Sequence, residues 1–263
     1  MKKFFLFSLI IFSTQIFSQE LLVINARYIP KPDSIFIFKP KNYSNNKTFP
    51  LLILLHGYSG SYKHWNELTG GLQKYSDKYG FIIACPDGFY DSWYLDSPIK
   101  ENSKVETFFV DDLFPSITNK LNIDKKNVFI TGLSMGGHGA FLLFLKHQDI
   151  FKSAGSLSGI LDITEFPNRW SMLNALGKIE EHPDNWKNNS VYNLVDKIKG
   201  TDKQVLFECG TEDFAYNVNR KFYEKCLQSK IKATFISRPG NHNAEYWKSG
   251  IENHFRFFTS LLD

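Results

Sequence analysis

Five residues, Gly132-Leu133-Ser134-Met135-Gly136, restrict this chain more than any other stretch. Ahead of them Val128-Phe129-Ile130-Thr131 is a short apolar, β-branched run of the kind that forms a buried strand. Behind them Ala140, Phe141, Leu143 and Phe144 recur at helical spacing up to Lys146-His147. The reading is strand, sharp turn, helix, with a serine at the tip. There its hydroxyl stands clear of its neighbours, at the positive end of the helix. Such a turn strains the backbone, so the positions two before and two after the serine must be small, and both are glycine. By chance alone G-x-S-x-G turns up in about one chain in ten of this length, so the five letters need their setting. Two further pieces downstream, in the right order, supply it.

The rest of the chain alternates strand-like and helix-like patterns without repeats or linkers. Residues 21–29 and 34–38 read as an antiparallel pair at a sheet edge, around Pro30-Lys31-Pro32-Asp33. Residues 51–55 are apolar at every position, as a strand covered on both faces must be. Strands are also expected at 81–84, 128–131, 153–157, 205–208 and 233–236. Helices are expected at 65–79, 105–121 (kinked at Pro115), 191–198, 217–227 and 246–262. Residues 161–189 are the least regular part, an insertion after the sixth strand that reads as a lid or cap. The fold class is α/β: a mostly parallel sheet with helices on both faces, its chemistry in loops beyond the carboxyl ends of the strands.

With 43% hydrophobic residues among 263, the chain can bury one large core, and residues 19–263 read as a single domain. Residues 1–18 read as a secretory signal peptide. Lys2-Lys3 precede an apolar run over residues 4–12, broken only by Ser8, and a polar stretch ends in small Ser18. The run is too short to span a bilayer, and no cysteine follows that a lipid could modify. The expected location is the periplasm or the exterior, with no membrane association after cleavage; an uncleaved anchor is the alternative. The net charge is only +4, half of it from Lys2 and Lys3, and no basic cluster has the density that nucleic acid or an anionic membrane demands. Cys85, Cys209 and Cys226 are too few for a disulfide framework in a domain this size and read as buried thiols. No metal-ligand spacing occurs, and no cofactor is called for.

A serine hydroxyl needs a base within hydrogen-bond reach, itself oriented by a carboxylate. Five of the seven histidines follow Ser134. His138 lies one turn along the elbow helix, His147 at its far end, His182 in the insertion and His254 on the last helix. His242 alone sits in a loop just past a strand, in Arg238-Pro239-Gly240-Asn241-His242. The preceding strand ends in Cys209-Gly210-Thr211-Glu212-Asp213; of its two carboxylates Asp213, shorter and on a tight turn, is the expected partner. Glu212 is expected at the N-terminus of the next helix, where negative charge is favoured. The order Ser134, Asp213, His242 suits this architecture. Two donors are needed for the oxyanion of acyl transfer. The backbone N–H of Met135 is one; the N–H of Tyr58, after Gly57 in the loop beyond residues 51–55, is the other. His56 reads as support for that loop or as a pocket wall.

Several motifs in matching order then resemble one known group, the esterase family of α/β-hydrolases that includes esterase D, feruloyl and acetyl-xylan esterases, tributyrin-type esterases and mycolyltransferases. They are Leu54-Leu55-His56-Gly57, Ser92-Trp93-Tyr94-Leu95-Asp96-Ser97-Pro98, the Ser134 elbow through Gly137, Ser156-Leu157-Ser158-Gly159, Cys209 to Phe214, and Gly240-Asn241-His242. The resemblance runs from about residue 35 to the C-terminus. It implies Ser134, Asp213 and His242 as a triad, with Tyr58 and Met135 as oxyanion donors. Asn243-Ala244 departs from the pattern, since relatives often carry Asp and an aromatic there. The function expected is an exported serine carboxylesterase acting on short-chain or carbohydrate-linked acyl esters. An acyltransferase using the same triad and a non-catalytic binding module are the alternatives. The substrate partner is a small or polysaccharide-linked ester; the oligomeric state is open. Trp65, Trp93, Tyr94, Trp170 and Trp186 are candidates to stack on a sugar or phenolic ring, each with plain packing as the simpler reading.

Overall fold

The computed structural model describes residues 19–25 and 27–262, so the proposed signal peptide lies outside the described residues. Eight strands form one sheet: β1 (Gln19–Ile24), β2 (Asp33–Phe38), β3 (Phe49–Leu55), β4 (Ile82–Pro86), β5 (Ile123–Gly132), β6 (Ser153–Leu157), β7 (Gln204–Gly210) and β8 (Lys232–Arg238). Their order is β1-β2-β4-β3-β5-β6-β7-β8. From β4 to β8 every pairing is parallel, and β1 and β2 are added antiparallel at one edge, as the N-terminal pattern suggested. The carboxyl ends of β3 to β8 therefore share one rim.

The uniformly apolar central strands are buried on both faces, and their period of two divides the core. Leu51, Ile53, Leu55, Ile82, Val128 and Ile130 face a cluster shared with Phe141, Phe144 and Phe222. Leu52, Leu54, Ile83 and Phe129 face one shared with Trp65, Leu72, Phe255 and Phe258. Each such side chain contributes roughly 1.5–3 kcal/mol by leaving water.

Three expected helices are interrupted: 191–198 runs as a short α-helix and a 3₁₀ turn, and the other two break for identifiable local reasons. The 65–79 pattern is split into α1 (His64–Thr69) and α2 (Gln73–Tyr79). Gly70 and Gly71, at φ +69° and +114°, end the first helix in the left-handed region that glycine enters freely. Residues 105–120 run as α3 (Val105–Phe108), a π turn (Phe109–Leu113) and α4 (Phe114–Lys120). Pro115 sits in the first turn of α4, so the widened turn lies just ahead of it and absorbs the missing donor. After the elbow helix α5 (Met135–Lys146) and β6 comes the insertion. It holds a 3₁₀ turn (Ile163–Glu165), α6 (Met172–Leu176) and α7 (Pro183–Lys187), anchored by buried Met172, Leu176 and Trp186. Then follow α8 (Val191–Leu194), a 3₁₀ turn (Val195–Ile198), α9 (Tyr216–Gln228) and α10 (Ala244–Thr259).

Candidate active site

Ser134 joins β5 to α5 at φ +54°, ψ −118°, a backbone conformation that a side chain rarely tolerates. The surroundings over-determine it. Its N–H donates to Leu157 O at 2.9 Å, its carbonyl accepts from His138 N at 3.1 Å, and Gly136 N donates to Leu133 O at 2.8 Å. The flanking glycines serve close approach. A methyl group on Gly136 would run into the carbonyls of Leu55 and His56, and one on Gly132 into Gly136 and Leu55. The strain therefore rests on the serine, and glycine lets the strand and helix close around it.

His242 Nε2 lies 2.9 Å from Ser134 Oγ, and Nδ1 lies 3.0 Å from both carboxylate oxygens of Asp213. Asp213 is buried, and its Oδ1 also accepts the N–H of Ala215 at 2.8 Å, which fixes the carboxylate plane. Of the two candidate carboxylates, Asp213 meets the imidazole. Glu212 has a different place from the one expected. Its carboxylate accepts the N–H of Gly240, which with Thr211 Oγ1 holds its pKa below the ordinary range, and its own N–H donates to Gly240 O at 3.1 Å. With Thr211 N bonded to Arg238 O at 3.1 Å, Glu212 zips the Asp213 loop to the His242 loop instead of capping α9. Asn243, in the departure from the family pattern, is the N-cap of α10: its Oδ1 accepts the N–H of Tyr246 at 3.0 Å. Trp247, one turn into α10, meets the His242 ring edge-on at 5.0 Å, and Phe214 lies across it at 4.4 Å.

The loop after β3 passes beside the serine. A methyl group on Gly57 would meet Leu133 Cδ1 at 2.7 Å and lie 3.4 Å from Ser134 Cβ. Neither Tyr58 N nor Met135 N has a hydrogen-bond partner among the described residues, and Met135 is the first residue of α5, where helix geometry leaves amides free. His56 supports this loop: Nδ1 lies 2.7 Å from Gly57 O, Nε2 meets Asp87 O, and burial pushes its pKa down, keeping the ring neutral. Tyr94 Oη donates to His56 O at 3.1 Å from within the buried run of residues 92–95. Beneath it, Asp33 accepts the N–H groups of Asp87 and Gly88 at 3.1 and 3.0 Å, and burial raises it to about 7. No sequence signal marked Asp33, which only the pairing of β2 with β4 brings here.

The remaining histidines lie elsewhere. His138 Nε2 faces Asn189 O at 2.8 Å, His147 faces Glu106 at 3.0 Å, and His254 Nδ1 faces Thr131 Oγ1 at 2.9 Å. Of the candidate aromatics, Trp65, Trp93, Tyr94 and Trp186 are core residues. Trp170 is half-buried, 5.5 Å from Phe214, which in turn lies against the His242 ring. Phe214 was missed, although its place directly after Asp213 is the signal that could have found it.

A family model described as "Putative esterase" matches residues 27–258. An acetyl esterase of Caldicellulosiruptor saccharolyticus is 29% identical over 256 residues, covering 89% of this chain and 91% of its own. Among solved structures, FphF, a fluorophosphonate-binding serine hydrolase of Staphylococcus aureus, superposes with a TM-score of 0.80 at 20% identity, over 92% of this chain and 98% of its own. A ferulic acid esterase superposes with a TM-score of 0.78 at 25% identity, over 93% of this chain and 99% of its own. By that match of sequence and fold, the chain belongs to the esterase family of α/β-hydrolases and is a carboxylic ester hydrolase.

Proposed function

We propose that this is an exported serine esterase that cleaves short-chain or carbohydrate-linked acyl esters through an acyl-enzyme. The observation that carries the reading is the line from Asp213 through His242 to Ser134, with contacts of 3.0 and 2.9 Å. Ser134 Oγ attacks the ester carbonyl as His242 Nε2 takes its proton, and the oxyanion forms between Tyr58 N–H and Met135 N–H. The tetrahedral intermediate collapses, the C–O bond to the alcohol breaks, and His242 returns the proton to the leaving oxygen. Water, deprotonated by the same imidazole, then releases the acid and restores Ser134. Asp213 holds the ring in the tautomer that keeps Nε2 free to accept. An acetyl or feruloyl acyl group is favoured by the names of two relatives, the acetyl esterase and the ferulic acid esterase; the carbohydrate link rests on the sequence resemblance to feruloyl and acetyl-xylan esterases. Export rests on the pattern of residues 1–18.

A fluorophosphonate probe should label the wild type at Ser134, and Ser134→Ala should lose both labelling and several orders of magnitude in kcat/KM on aryl acetates. Turnover retained in Ser134→Ala, with labelling at another serine, ends the reading. N-terminal sequencing of the protein from its source cells should begin within a residue or two of position 19; an intact Met1 sinks the export half.

A further inference from the structure

Half-exposed aromatic side chains from two separate segments meet beside the His242 ring. Phe214 is 47% exposed and lies 4.4 Å from that ring. Trp170 lies 5.5 Å from Phe214, and Phe166 lies 5.6 Å from Trp170 and 5.9 Å from Phe214. Phe214 belongs to the loop after β7, whereas Phe166 and Trp170 come from the insertion after β6. Trp170 is held at φ +50° and Ser171 at +60°, a pair of left-handed residues without a glycine. For a tryptophan that conformation is a real departure from the norm, of the kind that clusters where a ligand must be met. It is secured by Trp93 Nε1, which donates to Trp170 O at 3.1 Å. Next along the chain, Ser171 Oγ pairs with Tyr58 Oη at 3.1 Å and adds hydroxyls to the end of the wall.

The chemistry of the triad says which half of a substrate meets this wall. His242 must pass its proton to the departing oxygen, so the alcohol lies on the imidazole side of Ser134, where Phe214 stands. An aryl group gains most when both faces leave water. A wall open on one side suits a ring with one apolar face and a hydrated rim, and a pyranose is such a ring. Resting on the esterase reading above, we propose that Phe214, Trp170 and Phe166 form the binding surface for the leaving alcohol, and that this alcohol is a sugar ring.

The test holds the acyl group at acetate and varies the alcohol: ethyl acetate, phenyl acetate and a mono-acetylated methyl xylopyranoside. All three pass through one acetyl-enzyme, so kcat/KM reads the acylation half alone. Trp170→Ala and Phe214→Ala should each lower kcat/KM on the xylopyranoside about ten-fold beyond their effect on ethyl acetate. Phe214→Tyr, which keeps the ring, should preserve the ratio. An equal fall on all three esters would mean that Phe214 merely props His242, and would overturn the proposal. A larger fall on phenyl acetate than on the sugar ester would overturn the pyranose assignment. Failure of the esterase reading itself is read separately, from Ser134→Ala on ethyl acetate.

Discussion

Two adjacent carboxylates, Glu212 and Asp213, do unlike things because one is exposed and the other is enclosed. Asp213 meets His242 through both oxygens, whereas Glu212 fastens its loop to Gly240. Asp213→Asn should keep the fold and lower kcat about 10⁴-fold, because an amide can stabilise the wrong imidazole tautomer. Glu212→Gln should cost less than about ten-fold, as a surface staple loses its charge and keeps its shape. Kinetics on an aryl acetate decide between them, and an equal collapse in both variants would mean the roles are shared. The meeting of Ser134, His242 and Asp213 was legible because each sits within a few residues of a strand end and the chain order suits that arrangement. Phe214 and Asp33 were not, since their meaning depends on what other segments bring beside them.

At the level of elements, the sheet could be read from runs of apolar residues, because a strand buried on both faces has no polar position to confuse the pattern. The helices were legible in location and less so in continuity. Gly70-Gly71 breaks one through backbone freedom, which leaves the hydrophobic spacing unchanged, whereas the break ahead of Pro115 was foreseen as a kink from its missing donor. The glycines of the elbow show the opposite case, where position in the motif foretold a tight fit. A methyl at Gly136 has no flexible side chain to push aside, only the carbonyls of Leu55 and His56. Gly136→Ala should therefore destabilise the fold by about 3 kcal/mol or more in urea unfolding, and fluorophosphonate labelling should drop with it. Gly80→Asn is the matched contrast. Gly80, unlike Gly136, has a special backbone, φ +74°, but nothing lies within 4 Å of a side chain there, and asparagine enters that region readily. Its effect should stay within about 1 kcal/mol. Comparable losses in both variants would mean that close approach to the Leu55 and His56 carbonyls is not what requires glycine at position 136.

Across the whole molecule, buried titratable groups pull stability in opposite directions with pH. Asp33 and Glu208 are raised by burial from 3.8 and 4.5 to about 7. His138 and His254 are lowered by burial from 6.5 to about 4 and about 3. The folded state keeps a proton on each carboxyl that the unfolded chain gives up, so their contribution is full in acid and fades as pH climbs toward 7. It also refuses a proton on each imidazole, so theirs is full above 6.5 and fades as pH falls toward 3–4. Between pH 4.5 and 6.5 the contributions of these four groups offset one another, while burial of His56 and His64 adds to the histidine side. Glu208 tests this balance most directly. It projects from β7 against α10, with Asn253 Nδ2 at 3.3 Å, Arg238 Nε at 3.8 Å and His254 Nε2 at 4.0 Å. Arg238 and Asn253 favour its charged form and burial opposes it; burial prevails. Glu208→Gln removes one proton that the native state holds in this window, so the variant's stability relative to wild type should rise with pH. The slope should approach about 1.4 kcal/mol per pH unit, or on the order of 3 kcal/mol between pH 4.5 and 7. Urea unfolding of both proteins at pH 4.5, 5.5, 6.5 and 7.5 measures it. A difference that stays constant across that series would mean Glu208 is ionised throughout, with Arg238 outweighing its burial.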